Sequence, residues 1–237
     1  MALKDNLISY WKLEESSGTR ADAHGSNNLT DNFTVTSGAG KIGTAADFEL
    51  SNTESLSVGD NPGLSMTGDF TIALWVNIEN EPASDNAYAL LSKLGSDDGY
   101  ALEYHESLGF RTRINLISQD FAHNLTPGTF THVVYRFTSS SKEHSLWIDG
   151  SEETPKTGSV NPNDGSESLY LGRSAEGATT FLDGKLDEVS LWSRAITDSE
   201  IAEIYNSGSG LGYDSWDVVS HVRAPAMGNF SGGLAIV

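Results

Sequence analysis

A chain of 237 residues with 38% hydrophobic side chains and only 6 prolines is long enough, and apolar enough, to bury a sizeable core in one domain. Its 33 acidic against 14 basic residues give a formal net charge of −19, which repels phosphate backbones and anionic lipid and excludes a basic stripe for nucleic acid or a membrane surface. It has no cysteine, so disulfide frameworks and thiolate metal sites are excluded as well.

The opening "MALKDNLISYWKLEE" lacks the cationic, apolar and small-residue order of a secretory leader. A chain that is soluble and not exported by that route is expected. Within it, "LISYWKL" reads as a strand with Leu7, Trp11 and Leu13 on one face and Ser9 as the polar exception. From Glu14 to Asp69 the chain is polar and rich in Gly, Ser and Asn, with brief strand signals only at Ala46-Asp47-Phe48 and Leu56-Ser57-Val58. A loop that long inside a compact domain is functional or is tied down.

The strongest strand is "DFTIALWVNI", where Phe70, Ile72, Leu74, Val76 and Ile78 make one apolar face and Trp75 on the other implies cover on both sides. Further strands are predicted at "AYALLSKL", "GYALEYH", "GFRTRINLI", "FTHVVYRFT", "EHSLWIDG", "SLYLGRS" and "GKLDEVSLW", separated by turn residues. Trp11, Trp75, Trp147 and Trp192 lie in strong strand patterns and are assigned to the core. One helix is predicted after Thr197, whose hydroxyl and Glu200 complete a capping box, with Ile201, Ile204 and Tyr205 on one face and Gly208 at the end. It is expected to plug one end of a β-sandwich. Residues 213–237 form a tail suited to docking or oligomerisation, which sets domain limits of 1–212 and 213–237.

Two groups of residues carry candidate chemistry. Asp187 and Glu188 are adjacent on a strand, so alternation predicts that they point to opposite faces, one inward and one solvated or facing a partner. Tyr100 and Tyr104 share one strand face and Arg111, Arg113 and Asn115 share another; with Asp98 in the "GSDDGY" turn they form a candidate ligand surface. The same pattern fits tyrosines packed at the core edge beside solvated arginines. Hydrolysis of glycans needs two carboxylates roughly 5–5.5 or 6.5–9.5 Å apart. No alternating Glu-x-Asp-x-x-Glu strand supplies them, and no nucleophile elbow, phosphate loop or helical His pair is present. No catalytic residue is therefore assigned.

The segments "LISYWKLEESSGTRADAHGSNNLT", "AADFELSNTESLSVGDNPGL", "GDFTIALWVNI", "FTHVVYRF", "SLWIDG" and "FLDGKLDEVSLWSRAITDSEIAEIYNSG" occur in one order over most of residues 7–212. In this the chain resembles the laminin G-like, concanavalin A-like lectin domains, a jelly-roll β-sandwich superfamily. Its opening is similar to such domains in tailed-phage virion proteins. The resemblance implies an all-β fold of two antiparallel sheets with one short C-terminal helix. It also implies a structural histidine with hydrogen-bonded nitrogens at His132 and a Ca²⁺ ion shared by the first loop and the last strand. Asp22, the carbonyls of Gly25 and Asn27, and Asp187 would then supply ligands, since Ca²⁺ takes about six to eight oxygens. The expected function is a non-enzymatic, calcium-stabilised module at a virion surface or otherwise outside the cell. It would bind a glycan or cell-surface polysaccharide, or other virion proteins, with a homo-oligomer contact through the tail. A glycan-degrading enzyme or its accessory domain, and a structural capsid or tail protein without a ligand, are the alternatives.

Overall fold

The computed structural model describes residues 2–83, 86–176 and 180–216. The tail expected over 213–237 falls outside the described residues from 217 onward.

The chain forms β1 (Leu7–Trp11), β2 (Thr30–Asn32), β3 (Thr36–Ala39), β4 (Thr44–Phe48), β5 (Ser55–Val58), β6 (Phe70–Ile78), β7 (Ala87–Leu94) and β8 (Gly99–His105). It continues through β9 (Gly109–Ile114), β10 (Ile117–Phe121), β11 (Thr131–Thr138), β12 (Glu143–Ile148), β13 (Ser151–Glu152), β14 (Lys156–Thr157), β15 (Leu169–Leu171), β16 (Gly184–Trp192) and α1 (Asp198–Tyr205). A nine-stranded sheet runs β13-β12-β11-β6-β16-β4-β3, with β1 beside β16 and β14 beside β12. A seven-stranded sheet runs β10-β9-β8-β7-β15-β5-β2. The strands pair antiparallel in both sheets, as a jelly-roll sandwich requires.

The inner faces meet in one core that takes the predicted face of β6 together with Trp11, Tyr100, Leu102, Tyr104, Val133, Tyr135, Leu186, Val189 and Leu191. A second cluster covers the outer face of the nine-stranded sheet: Ala73, Val134, Trp147 and Trp192 meet Ile201 and Ile204 of α1, with Trp216. All four tryptophans assigned to the core are buried. The helix therefore lies on a sheet face and does not plug an end. Its capping box forms as predicted, and Glu200 also takes both guanidinium nitrogens of buried Arg194 at 2.8 Å. The fold also runs past residue 212, because Trp216 stacks on Trp192 with ring centroids 5.7 Å apart.

Two bulges break the strict alternation expected of these strands. In β1 the register shifts between Leu7 and Ser9, so Leu7 joins the helix-side cluster while Trp11 and Leu13 enter the main core. In β16 it shifts between Asp187 and Ser190, with Glu188 at φ 51°. Leu186 and Val189 then both face the core, and Asp187 and Glu188 are left together on the outer side. The expectation that these acids point to opposite faces is corrected by that one extra residue.

The early polar region is tied down, as its length required. It supplies four strands and a fully buried Arg20, whose guanidinium donates to the carbonyls of Gly18, Val35 and Thr36. Burial pulls the Arg20 pKa down and Asp31 pushes back.

Candidate functional site: two acidic loops and an open sheet face

Asp22 sits at the mouth of the first loop, bridged to Trp11 at the end of β1. Its Oδ1 accepts the backbone N–H groups of Tyr10, His24 and Gly25 at 2.9–3.0 Å, and its Oδ2 accepts that of Asn27 at 3.0 Å. Gly25 is required there, since a Cβ would lie 2.7 Å from the Ile8 carbonyl and 2.8 Å from Asp22 Oδ2. The Asn27 carbonyl accepts the Trp11 indole N–H at 2.7 Å. Asp22, Gly25 and Asn27, three of the four expected metal ligands, are thus adjacent, but Gly25 and Asn27 turn N–H donors to the carboxylate, which stabilise its charge, and the Asn27 carbonyl expected as a ligand is taken by Trp11.

Asp187 is held by a different loop. Its Oδ2 accepts the N–H groups of Lys41 and Ile42 at 2.7 and 2.9 Å, and its Oδ1 is buried with no hydrogen-bond partner. Burial pushes the carboxyl up to about 7 against those two N–H groups. Of the expected set, Asp187 is the residue whose free, desolvated oxygen fits a hard cation. No group of three or more His, Asp or Glu side chains is placed to hold a metal ion among the described residues.

Glu188, next in the bulge, is also buried, and its Oε2 has no partner. Burial pushes it up to about 8; Asp214 adds to the rise and the Tyr213 N–H opposes it. A small pocket beside it is lined by His132, Trp75, Ser190 and Trp216. His132 packs against the Trp75 and Tyr205 rings, at 4.9 and 5.7 Å, which themselves lie 6.0 Å apart, and its Nδ1 is unpartnered. It is structural as expected, but it is held by stacking, and hydrogen bonding at Nδ1 is corrected. Burial, with Lys41 nearby, pulls its pKa down to about 3.

The candidate ligand surface divides. Tyr100 and Tyr104 belong to the core, with hydroxyls donating to the Leu64 carbonyl and to Glu81, so as ligand-stacking residues they are corrected. Asn115 anchors a turn, donating to the Asn161 carbonyl and accepting the Asn163 N–H. Asp98 lies in the β7–β8 turn, packed against Gly95 and Gly165.

Arg111 and Arg113 do share the outer face of the seven-stranded sheet. Cross-strand register sets Ala89, Glu103, Arg111 and Asp120 in one row, and Ser92, Ala101, Arg113 and Ser118 in the next. Arg111 forms a two-pronged pair with Asp120 at 2.7 and 3.2 Å. Arg113 reaches Glu176 and, at 3.7 Å, Glu103, which also contacts His105 Nε2 at 3.4 Å. The neighbours in these rows are small: Ala89, Ser92, Ala101 and Ser118. Glu103 and His105 are legible in sequence as sharing one strand face, but neither they nor Asp120 are assigned to the ligand surface from it; the facing arginines across the strands are the signal that joins them to it.

The family model of the concanavalin A-like lectin/glucanases superfamily matches residues 50–202. No curated protein sequence matches the chain. Among solved structures, the binding domain of Paraclostridial Mosquitocidal Protein 1 is 19% identical at a TM-score of 0.72, covering 87% of this chain and 53% of that one. A botulinum neurotoxin type C structure, whose cell entry depends upon interaction with two ganglioside molecules, is 12% identical at 0.65, covering 86% and 52%. Trypanosoma rangeli sialidase is 16% identical at 0.64, covering 88% and 34%. At these identities the likeness is one of fold, and the chain spans about half the length of the toxin structures and a third of the sialidase.

Proposed function

Because the chain belongs to the concanavalin A-like lectin/glucanases superfamily, we propose that it is a non-enzymatic, lectin-like module that binds a glycan on the outer face of its seven-stranded sheet. The observation that carries this reading is the cluster of Glu103, His105, Arg111, Arg113 and Asp120 in adjoining cross-strand rows, beside the small side chains of Ala89 and Ala101. Planar, charged groups fixed by their neighbours offer pre-oriented donors and acceptors to sugar hydroxyls, with little side-chain entropy left to lose on binding. The toxin structure whose name records interaction with two ganglioside molecules supports the class of ligand. Glu103 is buried and engaged by Arg113 and His105, which makes it a holder of the cationic donors and underlies the non-enzymatic reading.

A calcium ion remains part of this proposal, with the free Asp187 oxygen as one of its ligands and a role confined to stabilising the loop at Lys41–Ile42. So does display at a virion surface, on the similarity of the opening segment to tailed-phage domains, with residues 217–237 as the attachment. Binding to a glycan array, compared between the parent and an Arg111→Ala/Arg113→Ala variant, tests the central part. Loss of signal in the variant is expected, and unchanged binding overturns it.

A further inference from the structure

On the opposite side of the sandwich, a cavity of about 380 Å³ opens between the end of β1, the loop after β3 and the segment after α1. Lys12, Glu14, Ile42, Glu188, Tyr213 and Asp214 line it. That volume is within the usual range for small-ligand pockets and far larger than one ion needs.

Its three acids are not equivalent. Glu14 is committed to the N–H and hydroxyl of Thr44, at 2.9 Å each. Asp214 is committed to Lys12 Nζ at 2.6 Å. Glu188 is 6% exposed, and its Oε2 has no partner. The nearby Lys41 ammonium is placed over the Trp75 ring, 4.5 Å from its centroid. The pocket therefore holds a buried carboxyl oxygen that the protein's own Lys12 and Lys41 do not satisfy, and an unsatisfied buried acceptor costs free energy that a ligand can recover.

A divalent ion suits the pocket poorly, because it wants about six or more oxygens and two of the three carboxyls already face donors. A cation on a carbon stem suits it better, since Ile42 and Tyr213 offer the stem apolar contact while the charged head meets the carboxyl. We propose that this cavity binds a primary alkylammonium group, with Glu188 as its acceptor and Ile42 and Tyr213 packing its stem. The ammonium can come from a free diamine or from a lysine side chain of a partner protein. The proposal is independent of the glycan reading, which concerns the other sheet.

The test is calorimetric titration of the full chain, in EDTA, with cadaverine, diacetylcadaverine and a blocked lysyl tripeptide. Cadaverine or the tripeptide is expected to bind saturably and the diacetyl compound is not; the tighter of the first two identifies the source. Glu188→Gln should weaken that binding at least tenfold, while Asp97→Asn, which removes a remote exposed charge, should leave it unchanged. Ile42→Trp, which fills the cavity and leaves every charge in place, gives a second route to the same loss. Absence of saturable binding by both amines at millimolar concentration, equal binding of diacetylcadaverine, or full affinity in Glu188→Gln would overturn the proposal.

Discussion

His132 should make this protein sensitive to mild acid in a way that one substitution removes. The imidazole is 2% exposed against Trp75 and Tyr205, and its pKa falls from 6.5 to about 3 because burial disfavours the cation. In the unfolded chain the ring titrates near 6.5, so below that pH the unfolded state binds a proton that the native state refuses. Stability is whole above about pH 6.5 and is lost as pH falls toward 3, by about 1.4 kcal/mol per unit. Between pH 7.5 and 4.5 the loss from this residue is about 3 kcal/mol. Replacing His132 with Phe keeps an aromatic in the stack and abolishes the titration. Urea unfolding of both proteins at the two pH values is the assay, and the double difference cancels every group the two share. That includes Asp187 and Glu188, whose raised values act in the opposite sense. The parent should lose about 3 kcal/mol more than the variant on acidification. An equal pH dependence in the two proteins would refute the reasoning.

Asp22 and the calcium proposal have their own tests. Asp22→Ala strands the four backbone N–H groups that its carboxylate collects, and should cost about 3 kcal/mol. Amide exchange at Tyr10, His24, Gly25 and Asn27 should accelerate with it; unchanged exchange would mean the cage does not hold the loop. Chelation by EDTA should lower the melting temperature of the parent and leave Asp187→Asn unmoved, since a ligand of the native state raises apparent stability. Identical melting in calcium and EDTA removes the ion from the account.

Much of the fold was legible because apolar alternation fixes a strand's face wherever the strand is regular. β6 has the predicted inward set, and α1 was readable from Thr197, Glu200 and the isoleucines. What failed was alternation across bulges: nothing in "KLDEV" announces that Glu188 takes a left-handed φ and turns its carboxyl to the same side as Asp187. Arg20 was invisible for a related reason. A charged residue in a polar loop reads as solvated until the backbone carbonyls of three other residues close on it. At the candidate site the arginines were found by their shared strand face, whereas Tyr100 and Tyr104 shared a face that turned out to be the core. The period of a strand tells which residues travel together, and the side they face is set by the opposing sheet.

The claim on which the functional account turns is glycan recognition by the Arg111 and Arg113 face. Its most direct measurement is a glycan-array screen of the parent chain, then titration of the best ligand into parent, Arg111→Ala/Arg113→Ala and Glu103→Gln proteins, with product analysis for cleavage. The account predicts selective binding that weakens at least tenfold in the arginine variant, roughly 1.4 kcal/mol or more, with the ligand recovered intact. A silent array, binding that survives loss of both arginines, or cleaved ligand would contradict it.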